Sequence, residues 1–140
     1  MKRLVIDASI AIKWVVQETG TDEALWLRRH RLVAPDLIVA ECANVLWKKT
    51  VRGELLPEEA SAAAELLERA DLELAPMRGL LSGATNWAIR LNHPAYDCLY
   101  LALADREAIA FVSADIGFVG KVRQAPGAPE VLTLQEAATQ

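Results

Sequence analysis

Residues that commonly carry reactive chemistry are scarce in this sequence. Its 140 residues include only two cysteines and two histidines. Cys42 and Cys98 form no pair motif, and each directly follows an acid, Glu41 or Asp97. Successive side chains on a helix point in different directions, so neither cysteine is placed to share a metal with the acid before it. Both read as small buried hydrophobes, and no disulfide is expected in a reducing compartment. His30 lies in a charged turn and His93 precedes Pro94, so both histidines read as incidental. No Gly-x-Gly-x-x-Gly follows the first strand-like segment and there is no P-loop, which excludes the usual dinucleotide and nucleotide fingerprints. There is no Gly-x-Ser-x-Gly elbow. Asp7-Ala8-Ser9 lacks the second aspartate of an Asp-x-Asp phosphotransferase. No apolar run is long enough to span a bilayer. Met1-Lys2-Arg3 leads straight into a strand-like segment without the apolar core of a signal peptide. A cytoplasmic protein with no membrane partner is expected.

Positive charge is also limited. The net charge is −4, which argues against indiscriminate nucleic-acid binding through a broad basic surface. The basic residues cluster locally, at Arg28-Arg29-His30-Arg31 and at Lys48-Lys49-Thr50-Val51-Arg52. Solvated helix ends favoured by the macrodipole account for both clusters.

What is present is the pattern of a globular α/β chain. Apolar residues make up 53% and charged residues 24% of the sequence, and the length suits one domain over 1–140. Short apolar runs at Leu4-Val5-Ile6, Leu32-Val33-Ala34, Leu72-Glu73-Leu74, Ile109–Val112 and Val131-Leu132 read as strands. Helices are expected over 9–17, 21–30, 37–52, 57–70, 80–91, 94–107, 116–122 and 134–138. Asp36 suits an N-cap and Gly53 a C′ stop, and Pro57 suits a first helical turn. Strands alternating with helices imply an α/β sandwich on a mainly parallel sheet. Ligand sites in such folds lie outside the carboxyl ends of the strands, where the strand order reverses.

Four acids stand where packing should rule. Asp7 ends the first apolar run, Glu41 interrupts the apolar face of a helix, Asp97 opens the run Cys98–Ala104, and Asp115 follows Phe111-Val112. A buried charge is costly unless it is paired or binds a metal. Asp7 and Asp115 each have a capping role as the alternative, and for Asp115 alone capping is the better account. Asp97 sits in a first helical turn, which the dipole favours. Glu41 has Leu37, Ile38, Asn44 and Val45 as its helical neighbours, so it points inward or toward a cleft. Together the four suit one or two hard cations, Mg²⁺ or Mn²⁺. Two such ions roughly 4 Å apart support phosphodiester cleavage. Ser9 and Ser113, two residues from Asp7 and Asp115, are placed to orient a carboxylate. Lys13, about a turn beyond Asp7, is a candidate phosphate contact.

These residues resemble the PIN-domain proteins of the VapC toxin type. The matching segments are Val5-Ile6-Asp7-Ala8-Ser9 with Lys13-Trp14, and Ala34-Pro35-Asp36-Leu37 running to Glu41 and Asn44. They continue with Tyr96-Asp97-Cys98-Leu99-Tyr100-Leu101-Ala102-Leu103-Ala104 and Phe111-Val112-Ser113-Ala114-Asp115. Their order and spacing cover essentially the whole chain. Ser113 departs from the threonine commoner at its position but keeps the hydroxyl. The resemblance implies a three-layer α/β/α sandwich around a mainly parallel, roughly five-stranded sheet. It implies an endoribonuclease dependent on Mg²⁺ or Mn²⁺, whose metal site is Asp7, Glu41, Asp97 and Asp115, supported by Ser9, Ser113 and Asn44. It further implies an RNA substrate, a small antitoxin partner and homodimerisation. Trp14, Trp26, Trp47 and Trp87 all fall on expected helices, where core packing is their ordinary role; Trp26 and Trp47 are alternatively candidates for a partner surface. Two rival readings are a receiver-type phosphoacceptor domain, which needs an aspartate at the end of its third strand, and a non-catalytic binding protein of the same fold.

Overall fold

The computed structural model describes residues 1–140. Strand β1 (Arg3–Ile6) leads into a short helix α1 (Ala8–Ala11), extended by a 3₁₀ turn over Ile12–Trp14. Helix α2 (Thr21–Trp26) precedes β2 (Arg31–Pro35), α3 (Leu37–Val51), α4 (Pro57–Glu68) and β3 (Glu73–Ala75). The second half runs through α5 (Leu81–Leu91), α6 (Ala95–Glu107), β4 (Phe111–Ser113), α7 (Ile116–Arg123), β5 (Val131–Thr133) and α8 (Leu134–Ala138). All the expected strands and helices are present.

The five strands form one sheet in the order β3-β2-β1-β4-β5, and every pairing is parallel. The chain therefore builds outward from β1 in one direction, returns, and builds outward in the other. That makes the crevice between β1 and β4 the switch point, with their carboxyl ends side by side. Ile6 is in register with Val112, so the residues that follow, Asp7 and Ser113, are brought next to one another although 106 positions apart.

The core follows the apolar runs. Val5, Ile6, Val33, Phe111 and Val112 are almost wholly buried, as strands covered on both faces require. Helix α6 is apolar nearly all round, which predicts burial, and Cys98, Tyr100, Leu101, Ala102, Leu103 and Ala104 are indeed buried. It packs against β1, β2 and β4. At the amino ends of the strands Arg3 clasps Glu107 at 2.7 Å and Glu73 at 2.8 Å.

Three local expectations change. The first helix is shorter than expected, its last turn tightening to 3₁₀ geometry before Val15. β4 begins later and includes Ser113, because α6 ends in a left-handed turn at Ala108, with φ of 55°, and Ile109 is spent bonding back to Ala104. Asp36 occupies the N-cap of α3 but makes no capping bond; its carboxylate instead accepts the Met77 N–H at 3.2 Å, joining the ends of β2 and β3.

Candidate active site

Asp7 sits at the N-cap of α1, yet its side chain caps nothing. Both carboxylate oxygens turn to hydroxyls: Ser9 donates to Oδ1, and Ser113 donates to Oδ2 at 2.6 Å. Each hydroxyl also accepts from the loop after β4, where Ala114 N–H donates to Ser9 Oγ at 3.1 Å and Asp115 N–H to Ser113 Oγ at 3.0 Å. A hydroxyl carries one proton and two lone pairs; in each serine one lone pair takes a backbone N–H and the proton goes to Asp7. Ser113 is fully buried. The pairing of β1 with β4 thus fixes the orientation of one carboxylate through two serines.

No basic side chain approaches Asp7. Its carboxyl is pushed up to about 6, raised by burial first, held back by Ser113 and Ser9, and raised by the charges of Asp97 and Glu41. Glu41 is likewise raised by burial, opposed by a hydrogen bond from the Tyr100 hydroxyl, and raised again by Asp97. Three acids on three elements therefore feel one another's charge without a cation between them. These are three of the four acids singled out in the sequence, with α3 contributing Glu41 and α6 contributing Asp97.

Asp115 is joined less directly. Its Oδ1 accepts the Phe118 N–H at 3.1 Å, an ordinary helix cap on α7, and its own N–H reaches Asp7 through Ser113. The capping role is real, and it leaves Oδ2 uncommitted. Asp97 gives Oδ2 to the His93 ring at 2.7 Å and leaves Oδ1; Glu41 gives Oε1 to Tyr100 and leaves Oε2. Asn44 lies exposed one turn beyond Glu41 on α3.

The side chains do not form a group of three that could hold an ion as they stand. Each is drawn to its own protein donor instead. The donor set is nonetheless all carboxylate, with one free oxygen on each of Glu41, Asp97 and Asp115 and spare lone pairs on Asp7. Hard oxygen ligands of this kind fit Mg²⁺ or Mn²⁺ and not a softer metal. The cysteines offer no competing set: burial and the adjacent acids push Cys42 up to about 12 and Cys98 up to about 11, so both remain buried thiols.

Two residues of this site have no role assigned from the sequence. Tyr100 lies within a motif that reads as apolar packing; its ring stacks on Phe111 at 5.8 Å while its hydroxyl reaches Glu41. His93 reads as incidental in the sequence and instead contacts Asp97. Lys13 departs from expectation. Its ammonium is 3.2 Å from Glu18 and donates to the Thr19 carbonyl at 2.7 Å, and Glu18 is shared with Lys49 at 2.9 Å. Lys13 is therefore a largely buried link within the protein, not a free phosphate contact. Trp14 donates to the Ala24 carbonyl at 2.9 Å and Trp87 is buried. Trp26 lies beneath the Arg29 guanidinium at 3.9 Å, whereas Trp47 is 60% exposed.

Comparison with known proteins agrees with this architecture. A family model described as PIN domain matches residues 4–121. Ribonuclease VapC9 of Mycobacterium tuberculosis is 30% identical over 113 residues, covering 81% of this chain and 86% of that protein. Among solved structures, PAE2754 from Pyrobaculum aerophilum superposes with a TM-score of 0.69 at 20% identity, covering all of both chains. VapBC2 from Rickettsia felis, solved bound to a DNA fragment from its promoter, gives a TM-score of 0.67 at 12% identity over 94% of this chain and 98% of that one. No helix is long and apolar enough to cross a membrane.

Proposed function

This chain belongs to the PIN-domain family, in its VapC branch, and on that premise we propose that it is a divalent-metal-dependent endoribonuclease, the toxin of a toxin–antitoxin pair. The observation that carries the reading is Asp7: a carboxylate at the β1–β4 switch point, oriented by two hydroxyls, crowded by Glu41 and Asp97, and without a basic partner. An arrangement that raises the cost of its own charge is suited to a cation.

Asp7, Glu41 and Asp97 would hold the ion, and the free oxygen of Asp115 would complete the set directly or through a water. Bound there, Mg²⁺ or Mn²⁺ would supply Lewis acidity for attack of water on a phosphodiester. The protein's part is orientation. Ser9 and Ser113 prevent Asp7 from turning to cap α1, and Tyr100 holds one oxygen of Glu41 so that the other faces the cleft. Because Asp7 and Asp115 stand at strand ends and Asp97 and Glu41 in the first two turns of their helices, the positions of the oxygens are set by the fold.

Partner proteins belong to the same reading. Helix α3 exposes Val39, Ala43, Trp47 and Val51 at four-residue spacing, beside an apolar cavity of about 320 Å³ that α3 shares with Leu67 of α4 and Leu74 of β3. An apolar stripe of this kind is seldom left bare on a monomer, and it supports an antitoxin partner. Helix α5 separately exposes Leu81 and Ile89, apolar surface suited to a second copy. The receiver reading finds no support, since β3 is an edge strand ending at Ala75.

The test is RNA cleavage by the purified chain with Mg²⁺ or Mn²⁺, beside Asp7→Asn and Asp97→Asn, with growth followed on expression of each. Cleavage and growth arrest by the parent alone, abolished by chelator, are expected. Equal cleavage by the variants, or cleavage indifferent to chelator, refutes the proposal.

A further inference from the structure

Asp97 is the third residue of α6, and two other helices of this chain show what an acid at that position ordinarily does. At the start of α4, Glu59 folds back to accept the Leu56 N–H at 2.7 Å. At the start of α8, Glu136 does the same for Thr133 at 2.8 Å. At α6 the N-cap is Pro94, which has no N–H to give. Asp97 is thereby denied the backward bond, and its Oδ2 is taken by the ring of the preceding residue, His93, with Nε2 at 2.7 Å.

That ring has three side-chain neighbours, Asp97, Lys121 and Phe118. Its other nitrogen, Nδ1, faces the Lys121 ammonium at 3.4 Å, and Lys121 also donates to the Asn92 carbonyl at 3.2 Å. One face lies against Phe118, with centroids 4.6 Å apart. The His93 backbone N–H donates to the Ala88 carbonyl at 3.1 Å, and Asn92 turns the chain through the left-handed region, with φ of 50°. An ammonium only donates. In the neutral ring the nitrogen it faces must be the acceptor, so the ring proton sits on Nε2 and points at Asp97.

We infer that His93 is a positioning residue for Asp97, with Lys121 fixing its tautomer, so that Lys121, His93 and Asp97 form a chain that leaves the free Oδ1 of Asp97 presented to the metal site. The inference rests on the metal reading above. It completes a pattern in which each of the three clustered acids has its own donor: the serines for Asp7, Tyr100 for Glu41, His93 for Asp97. Partners of this kind typically govern metal affinity by about 10- to 100-fold.

Two measurements on the full chain test it. The first is Mn²⁺ binding by calorimetry for the parent, His93→Ala, His93→Gln and Asp97→Asn, with the melting temperature of each recorded. Asp97→Asn should abolish binding. His93→Ala should weaken it by about tenfold or more, and His93→Gln, whose amide still donates, should recover most of that loss. A purely structural histidine would lower the melting temperature and leave Mn²⁺ affinity untouched. If Asp97→Asn loses Mn²⁺ while His93→Ala binds like the parent, the positioning role is wrong and the metal site stands. If parent and Asp97→Asn are indistinguishable, the metal reading falls and takes this inference with it. The second measurement needs no metal: nuclear magnetic resonance of isotope-labelled histidine with the ring neutral. A proton on Nε2 that redistributes toward Nδ1 in Lys121→Ala is expected; a proton on Nδ1 in the parent overturns the inference.

Discussion

Replacing Asp7 with asparagine should make the metal-free protein more stable while destroying its proposed site. A carboxyl held at about 6, where the ordinary value is 3.8, costs the folded state about 3 kcal/mol when ionised. The amide of the Asp7→Asn variant would carry no charge, but it would not keep all the hydrogen bonds. Its NH₂ group would face a serine hydroxyl that in the parent donates to Asp7, so that hydroxyl's proton would lose its acceptor, and losing one such bond costs about 1 to 2 kcal/mol. The balance is a gain of roughly 1 to 2 kcal/mol, or a melting temperature a few degrees higher for a chain of this size. The sign depends on pH. Because the folded pKa lies above the unfolded one, the native state binds more protons between the two values, and the parent loses stability as pH rises through that window. The advantage of Asp7→Asn should therefore be full above about pH 6.5 and absent below about pH 4. The assay is thermal melting of both proteins with chelator across that range, then with Mn²⁺, which should raise the parent and not the variant. An Asp7→Asn protein that melts below the parent at neutral pH with chelator would refute the argument that Asp7 is held as an uncompensated charge.

Two further outcomes follow from the same geometry. Tyr100→Phe removes the hydroxyl from Glu41 while keeping the stack on Phe111; it should cost about 1 kcal/mol in urea denaturation and slow RNA cleavage, and unchanged cleavage would separate Glu41 from the site. Trp47→Glu should leave stability within about 0.5 kcal/mol, as for exposed positions generally, yet prevent neutralisation of toxicity by a coexpressed antitoxin; full neutralisation would move the partner away from α3.

The elements and the acids are largely legible in the sequence because both announce themselves locally. A buried parallel strand is a short apolar run, and α6 is recognisable as a buried helix from its lack of a polar face. Asp7 and Glu41 stand out as charges with nothing nearby to neutralise them. What cannot be read depends on residues brought together from far apart. The strand order, with β4 returning to the far side of β1, has no local signature. His93 looks incidental because its role comes from a missing N–H on Pro94 and a lysine 28 positions later. The Tyr100 hydroxyl is hidden inside an apolar motif, and only the tertiary fold brings it to Glu41, 59 positions away. Lys13 errs in the opposite direction: its sequence position suggests an accessible cation, and the fold ties it to Glu18.

The contact between Ser113 and Asp7 also has a consequence for how the chain is made. During synthesis the first strand and its aspartate emerge early, but the hydroxyl that orients that aspartate arrives 106 residues later, and Asp97 and Asp115 also belong to the last third of the chain. A ribosome-bound nascent polypeptide carrying everything through α5 holds two of the four acids and neither β4 nor His93. Whatever chemistry the pocket performs, a chain that has not yet reached β4 and Asp115 cannot perform it, so the site waits on synthesis through that segment by topology alone.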